Sequence, residues 1–159
     1  MTFAAALTVA KTRILAMELL AIPASKAAES YASFKYISGF PYWTNRISDV
    51  QFPPERGEDF FKYTVPYVAR LIVGYSGGGW KGEHEDTLQY TYIPNVLTYF
   101  NTRPRLVYEA GQVSPKYFDV HSFAIRSTGL QLFTLPDGSF YVGTEFPMNL
   151  VFTVYMEME

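Results

Sequence analysis

The chain has 159 residues, 13 basic and 15 acidic side chains, a net charge of −2, and 48% apolar and 18% aromatic residues. That length fits one domain burying roughly 68–70% of its unfolded surface, and the apolar content excludes a disordered chain. A slightly acidic balance gives no support to nucleic-acid or anionic-membrane binding as the main task. The lack of cysteine excludes disulfide scaffolds, zinc–thiolate sites, iron–sulfur clusters and cysteine nucleophiles.

The first element predicted is a helix over residues 2–20, capped by Thr2, with Phe3, Leu7, Ala10, Ile14 and Met17 in one apolar stripe. Lys11, Arg13 and Glu18 fall off that stripe. They also break the apolar run that a signal peptide needs, so the default is a protein folded in the cytosol. Pro23 ends the helix, and Ser25 caps a short second turn through Ala27 to Ser30. Residues 31–61 crowd Tyr31, Phe34, Tyr36, Phe40, Tyr42 and Trp43 among glycines and prolines, with no sustained period. They read as an irregular aromatic arm or long loop, with a short strand around Tyr31–Ile37 as the alternative.

Lys62–Tyr75 reads as a strand with Tyr63, Val65, Tyr67, Ala69, Leu71 and Val73 on one face. Pro66 lacks a ladder donor, which places the first half at a sheet edge. Gly74–Gly82 is a glycine-rich turn. Glu83–Asn101 is a second helix, with Leu88, Tyr92, Val96 and Phe100 four apart on one face and Ile93 and Leu97 beside them. Pro94 must kink or divide it. Beyond it the chain is β-rich. Val120–Ser127 alternates weakly, and Leu130–Leu135 and Phe140–Gly143 flank a Pro136-Asp137-Gly138 turn. The last strand has Leu150, Phe152, Val154 and Met156 on one face and Val151, Thr153 and Tyr155 on the other. Apolar residues on both faces call for cover on both, by a helix or by a neighbouring subunit. The stretch Phe146–Met156 has only 11 residues, against roughly 20 for a membrane-spanning helix. The fold class is therefore α+β: an antiparallel sheet with an N-terminal helix and a Pro-kinked second helix on one face, in a single domain.

Gly74-Tyr75-Ser76-Gly77-Gly78 fits G-x-S-x-G and follows an apolar strand. With Asp86 or Asp119 and then His121 it gives a Ser, Asp, His order, so a small serine hydrolase using Ser76 is the enzyme alternative. Against it, Gly79, Trp80, Lys81 and Gly82 lengthen the turn where a nucleophile elbow would pass straight into a helix. Lys81 before Gly82 does not complete a phosphate loop. Glu83-His84-Glu85-Asp86 reads as helix N-terminal charge, because His84 has only Leu88 one turn on. Arg103 and Arg105 flank Pro104 and read first as partners of the last helical carbonyls, while Arg also anchors interfaces. The aromatic arm lacks the basic surface of a base-stacking platform, and docking on another protein subunit suits it better. No cofactor is called for.

Gly79-Trp80, Thr87-Leu88-Gln89-Tyr90-Thr91-Tyr92, Val96-Leu97, Tyr99-Phe100 and Leu106 together resemble the middle of tail terminator or neck proteins of tailed bacteriophages. The framing is similar too: an N-terminal helix, an antiparallel sheet, a helix packed on it, and a terminal apolar strand after a tight hairpin. The resemblance implies a structural virion protein, assembled in the host cytoplasm as a ring of usually six copies. That ring caps the tail tube and meets the head-side connector or stopper protein, with DNA only passing through its lumen and no membrane involved. Terminator, head-closure and tail-completion roles all stay open. A ring joins two unlike surfaces of each subunit. The candidate interface residues are Phe40, Tyr42 and Trp43 in the arm, Trp80 in the glycine-rich turn, Arg103, Arg105, and Leu150 and Phe152 on the last strand. The exposed edge of Met148–Met156 is expected to supply one of the two surfaces.

Overall fold

The computed structural model describes residues 3–22, 26–28, 40–47, 55–57, 60–75, 82–103, 105–107, 117–120, 125–135 and 138–155. Helix α1 spans Phe3–Ala21, followed by strands β1 (Lys26–Ala28), β2 (Tyr42–Ile47), β3 (Glu55–Arg56) and β4 (Phe60–Tyr75). Helix α2 (Gly82–Thr87) passes through a π-helical turn (Leu88–Tyr92) into α3 (Ile93–Asn101). Strands β5 (Arg105–Val107), β6 (Tyr117–Val120), β7 (Gln131–Thr134) and β8 (Phe140–Tyr155) complete one sheet. Its order is β1-β2-β4-β8-β6-β5, with β3 also beside β4 and β7 also beside β8. All pairings are antiparallel except β1 with β2. The fold is α+β, as its sequence pattern predicts.

The sheet is built on β4 and β8, each 16 residues long and paired from Phe60↔Tyr155 to Tyr75↔Tyr141. The predicted alternation of β4 holds: Val65, Tyr67, Ala69, Leu71 and Val73 are all buried on one face. Val142, Phe146, Met148 and Leu150 of β8 meet them there. Ala10, Ile14 and Met17 of α1 close that core with Leu88, Val96 and Phe100 of the second helical segment. Each fully buried large side chain contributes roughly 1.5–3 kcal/mol by leaving water.

Two prolines explain where ladders stop. An extended residue points its N–H and C=O to the same side. The Pro147 carbonyl accepts from Arg126 N–H at 3.3 Å, so the donor Pro147 lacks is missing on the side of residues 125–129. That stretch is therefore no strand; of the predicted Val120–Ser127, Val120 closes the strand Tyr117–Val120, residues 125–127 are not strand, and residues 121–124 lie outside the described residues. Residues 125–129 are stitched to β8 by Thr128 N–H to the Glu145 carbonyl (3.0 Å) and by Glu145 N–H to Thr128 Oγ1 (3.1 Å). Pro66 pairs with Asn149, two residues along from the Val68–Pro147 pair, so its missing donor points away from β8. On that side, among the described residues, β3 reaches only Phe61 and β2 only Tyr67. This is the local edge that Pro66 predicts.

Other expectations need correction. Residues 42–47, in the middle of the supposed arm of residues 31–61, are strand β2, inside the sheet between β1 and β4, with Trp43, Thr44 and Asn45 all buried. Lys26–Ala28 is a strand beside β2 rather than a turn capped by Ser25. Phe140–Gly143 and the last strand are one continuous β8. Its Met148–Tyr155 half pairs with β4 along its whole length on one side and with β6 at Leu150–Phe152 on the other, so the expected exposed edge is covered there. Glu18, expected on the polar face of α1, is fully buried. Residues 31–37 lie outside the described residues.

The turn into β8 follows its sequence. Gly138 N–H donates to the Leu135 carbonyl at 3.0 Å and Gly138 adopts φ +87°, a backbone that glycine takes without a Cβ penalty.

Candidate interaction surface

The eight candidate interface residues separate into core, surface and undescribed positions. Trp43 is fully buried, its ring 5.8 Å from that of Phe146, and Leu150 is fully buried in the same core. Both are corrected to core residues: a side chain with no exposed surface in the single chain offers none to a partner. Phe40 is 37% exposed and packs 6.3 Å from the Tyr141 ring, while Tyr42 is half-buried opposite Ile72. Arg105 begins β5 in register with Asp119, and Phe152 lies between Tyr63 and Phe118 in the ladders. Trp80 and Ser76 lie outside the described residues, as does His121.

Arg103 serves its own helix. Its Nη1 donates to the Tyr99 carbonyl at 3.2 Å and its guanidinium lies 3.7 Å from the centre of the Tyr99 ring. The cation satisfies an end carbonyl of α3, as the helix-end reading predicts.

The surface that sequence reasoning missed is the outer face of the helical layer. From Thr87 to Thr102 the chain carries no charged residue. Gln89, Tyr90, Thr91, Asn95, Thr98 and Asn101 are nevertheless exposed, Tyr90 by 77%. A solvent-facing helix ordinarily carries charge opposite its apolar stripe. Charge depletion with exposed tyrosine is instead the composition of an interface centre. Helix α1, packed beside α3, has a similar outer face. Ala4, Thr8, Thr12, Ala16, Leu19 and Leu20 are exposed, Leu20 by 67%, and Arg13 is the single charge among the exposed described side chains of α1. The Thr8 and Thr12 hydroxyls donate to the Ala4 and Thr8 carbonyls, at 3.0 and 3.2 Å, so their hydrogen bonding is spent within the helix. The signal was present in the sequence as a 16-residue run without Asp, Glu, Lys, Arg or His. Only exposure gives the run meaning, since a buried helix would lack charge for another reason.

A cleft of about 210 Å³ lies between Phe40, Pro41, Val73, Thr87 and Tyr92. Small-molecule sites are typically about 300–1,000 Å³ with convergent polar groups; here Thr87 and Tyr92 supply the hydroxyls. On the opposite face of the sheet, Arg70 pairs with Glu145 at 3.4 Å and stacks on Phe133 at 3.9 Å. No group of three His, Asp or Glu residues able to hold a metal occurs among the described residues. Nor is any helix among them long and apolar enough to cross a membrane. The frame around Ser76 is partly visible: β4 ends at Tyr75, α2 begins at Gly82, and β4 runs antiparallel to both β2 and β8. A nucleophile elbow turns directly from strand to helix. No protein-family model and no curated protein matches the chain.

Proposed function

We propose that this chain is a structural virion protein that forms a ring, of six copies, at the head-proximal end of a phage tail. There it terminates the tail tube and joins it to the head-side connector. The reading rests on the resemblance carried by Thr87–Tyr92, Val96-Leu97 and Tyr99-Phe100. The observation that supports it best is the uncharged outer face of those same segments. The occupant is a second copy of this chain. A face without charge has no counter-ion to offer a basic or acidic partner, and desolvating such a partner's charges against it costs free energy. An uncharged patch of another subunit meets no such penalty, and head-to-tail repetition of this contact closes a ring.

The test uses the full chain. Light scattering is expected to give a mass several times 18.1 kDa, and negative-stain images a ring that binds the end of tail tubes. The double substitution Tyr90→Lys and Thr98→Lys is expected to yield folded monomer, judged by unchanged circular dichroism. A lone subunit at high concentration that ignores tail tubes overturns the reading. Labelling of Ser76 by a fluorophosphonate would turn it toward the hydrolase.

A further inference from the structure

Glu18 of α1 and Asn45 of β2 meet inside the core, Glu18 with no exposed surface and Asn45 with 3%. Asn45 Nδ2 donates to Glu18 Oε2 at 3.0 Å. The other oxygen of each side chain, Glu18 Oε1 and Asn45 Oδ1, is buried with no hydrogen-bond partner. Two orphans on two groups already joined by one bond form a specific pattern. As a carboxylate, Glu18 is acceptor-only, so Oε1 and Oδ1 are two acceptors with no proton between them. As a carboxylic acid, Glu18 gains one O–H, and that proton is what Oδ1 lacks. We propose that Glu18 and Asn45 form a neutral acid–amide clasp, in which one proton closes a second hydrogen bond and fastens α1 to β2, and which loosens as that proton leaves.

No ion pair to Glu18 is found among the described residues, and Lys26 of β1, the strand beside β2, stands in register with Tyr42 rather than with Asn45. Among the described residues of the elements around α1, Arg70 and Glu145 pair with each other on the opposite face of the sheet. Arg46 follows Asn45 and so points to that opposite face too. Tyr67 belongs to the same core, and Tyr63, Tyr92 and Tyr99 pack against it. Tyr42 alternates to the far face. Lys11 lies two turns back on α1 and Arg13 is exposed, while Arg103 is held at the end of α3. Trp43, the next inward side chain of β2, keeps its indole Nε1 without an acceptor, so it does not serve Glu18. Burial pushes the Glu18 carboxyl well above the usual range, with the Asn45 hydrogen bond opposing that shift.

The sign follows from linkage. A raised folded pKa means that the native chain holds a proton the unfolded chain releases, so stability is full below the unfolded carboxyl pKa of about 4.3 and falls as pH rises toward the folded value. Glu18→Gln copies the protonated form, because its amide can give Oδ1 a hydrogen without titrating. Urea unfolding of wild type and E18Q across pH 4.5–8 is therefore expected to diverge. The wild-type folding equilibrium constant falls relative to that of E18Q by about tenfold per pH unit until Glu18 ionises in the native state. The protection factors of α1 amides, corrected for the intrinsic pH dependence of exchange, are expected to fall in wild type relative to E18Q over the same range. A difference between the two proteins that stays constant with pH overturns the proposal. Infrared spectroscopy of wild type at neutral pH gives a second reading that needs no variant to fold: a buried protonated-carboxyl band is expected, and only ionised carboxylate overturns the clasp.

Discussion

At the scale of single residues, position in the fold decides what each side chain can do. Gly143 stands where the β4–β8 register shifts between Ile72 and Gly74, and a Cβ there would overlap the Leu71 carbonyl. That neighbour is backbone and cannot swing aside. Gly143→Ala is expected to destabilise the chain by about 3 kcal/mol, measured as a lower urea midpoint with unchanged slope. Gly138 is different: space is open around it, and the cost of replacing it comes from its positive φ alone. Arg103 looks like an interface anchor by residue type, yet its hydrogen bond and ring contact are intrahelical. Arg103→Ala is expected to cost about 0.5–1 kcal/mol of thermal stability without changing the assembled mass.

At the scale of elements, the second helical segment shows how sequence spacing and backbone geometry adjust to each other. Three turns of α-helix take about 10.8 residues, so side chains strictly four apart drift around the axis. Leu88 and Phe100 are nevertheless both buried, with Val96 between them. The π turn at Leu88–Tyr92 absorbs one extra residue and restores the alignment, with Ile93 N–H donating to the Leu88 carbonyl five residues back. Pro94 then occupies the first turn of α3, where a missing donor is tolerated. The proline divides the helix, as its chemistry demands, through a widened turn. Pro94→Ala is therefore expected to shift stability by less than about 1 kcal/mol. Phe100→Ala, which empties a buried site, is expected to cost about 3–5 kcal/mol in the same unfolding assay.

For the whole molecule, both helical segments cover one face of the sheet, so their outer sides form a continuous layer low in charge. The proposed ring uses that layer, and E18Q provides a control for it. Its effect on stability is internal, between α1 and β2, so at pH 5 its assembled mass is expected to equal that of wild type. The lysine pair at Tyr90 and Thr98 is expected to do the reverse, lowering the mass while the circular dichroism of the folded chain stays unchanged across pH. Sedimentation alongside urea unfolding distinguishes the two effects.

Local physics in the sequence determined the existence of α1, the alternation of β4, the positive φ of Gly138 ahead of β8 and the α+β class. Each depends on a short-range rule: a helical stripe, a period of two, a turn residue with its own backbone preference. The tertiary structure alone decided that Trp43 and Leu150 are core, that β8 is one strand flanked by β4 and β6, and that Glu18 is inside. Those outcomes depend on which strands become neighbours. An aromatic or apolar residue reads the same in sequence whether its cover comes from its own chain or from another. The charge-free run from Thr87 to Thr102 was legible as composition, and it became a candidate surface only when the fold turned half of it toward solvent.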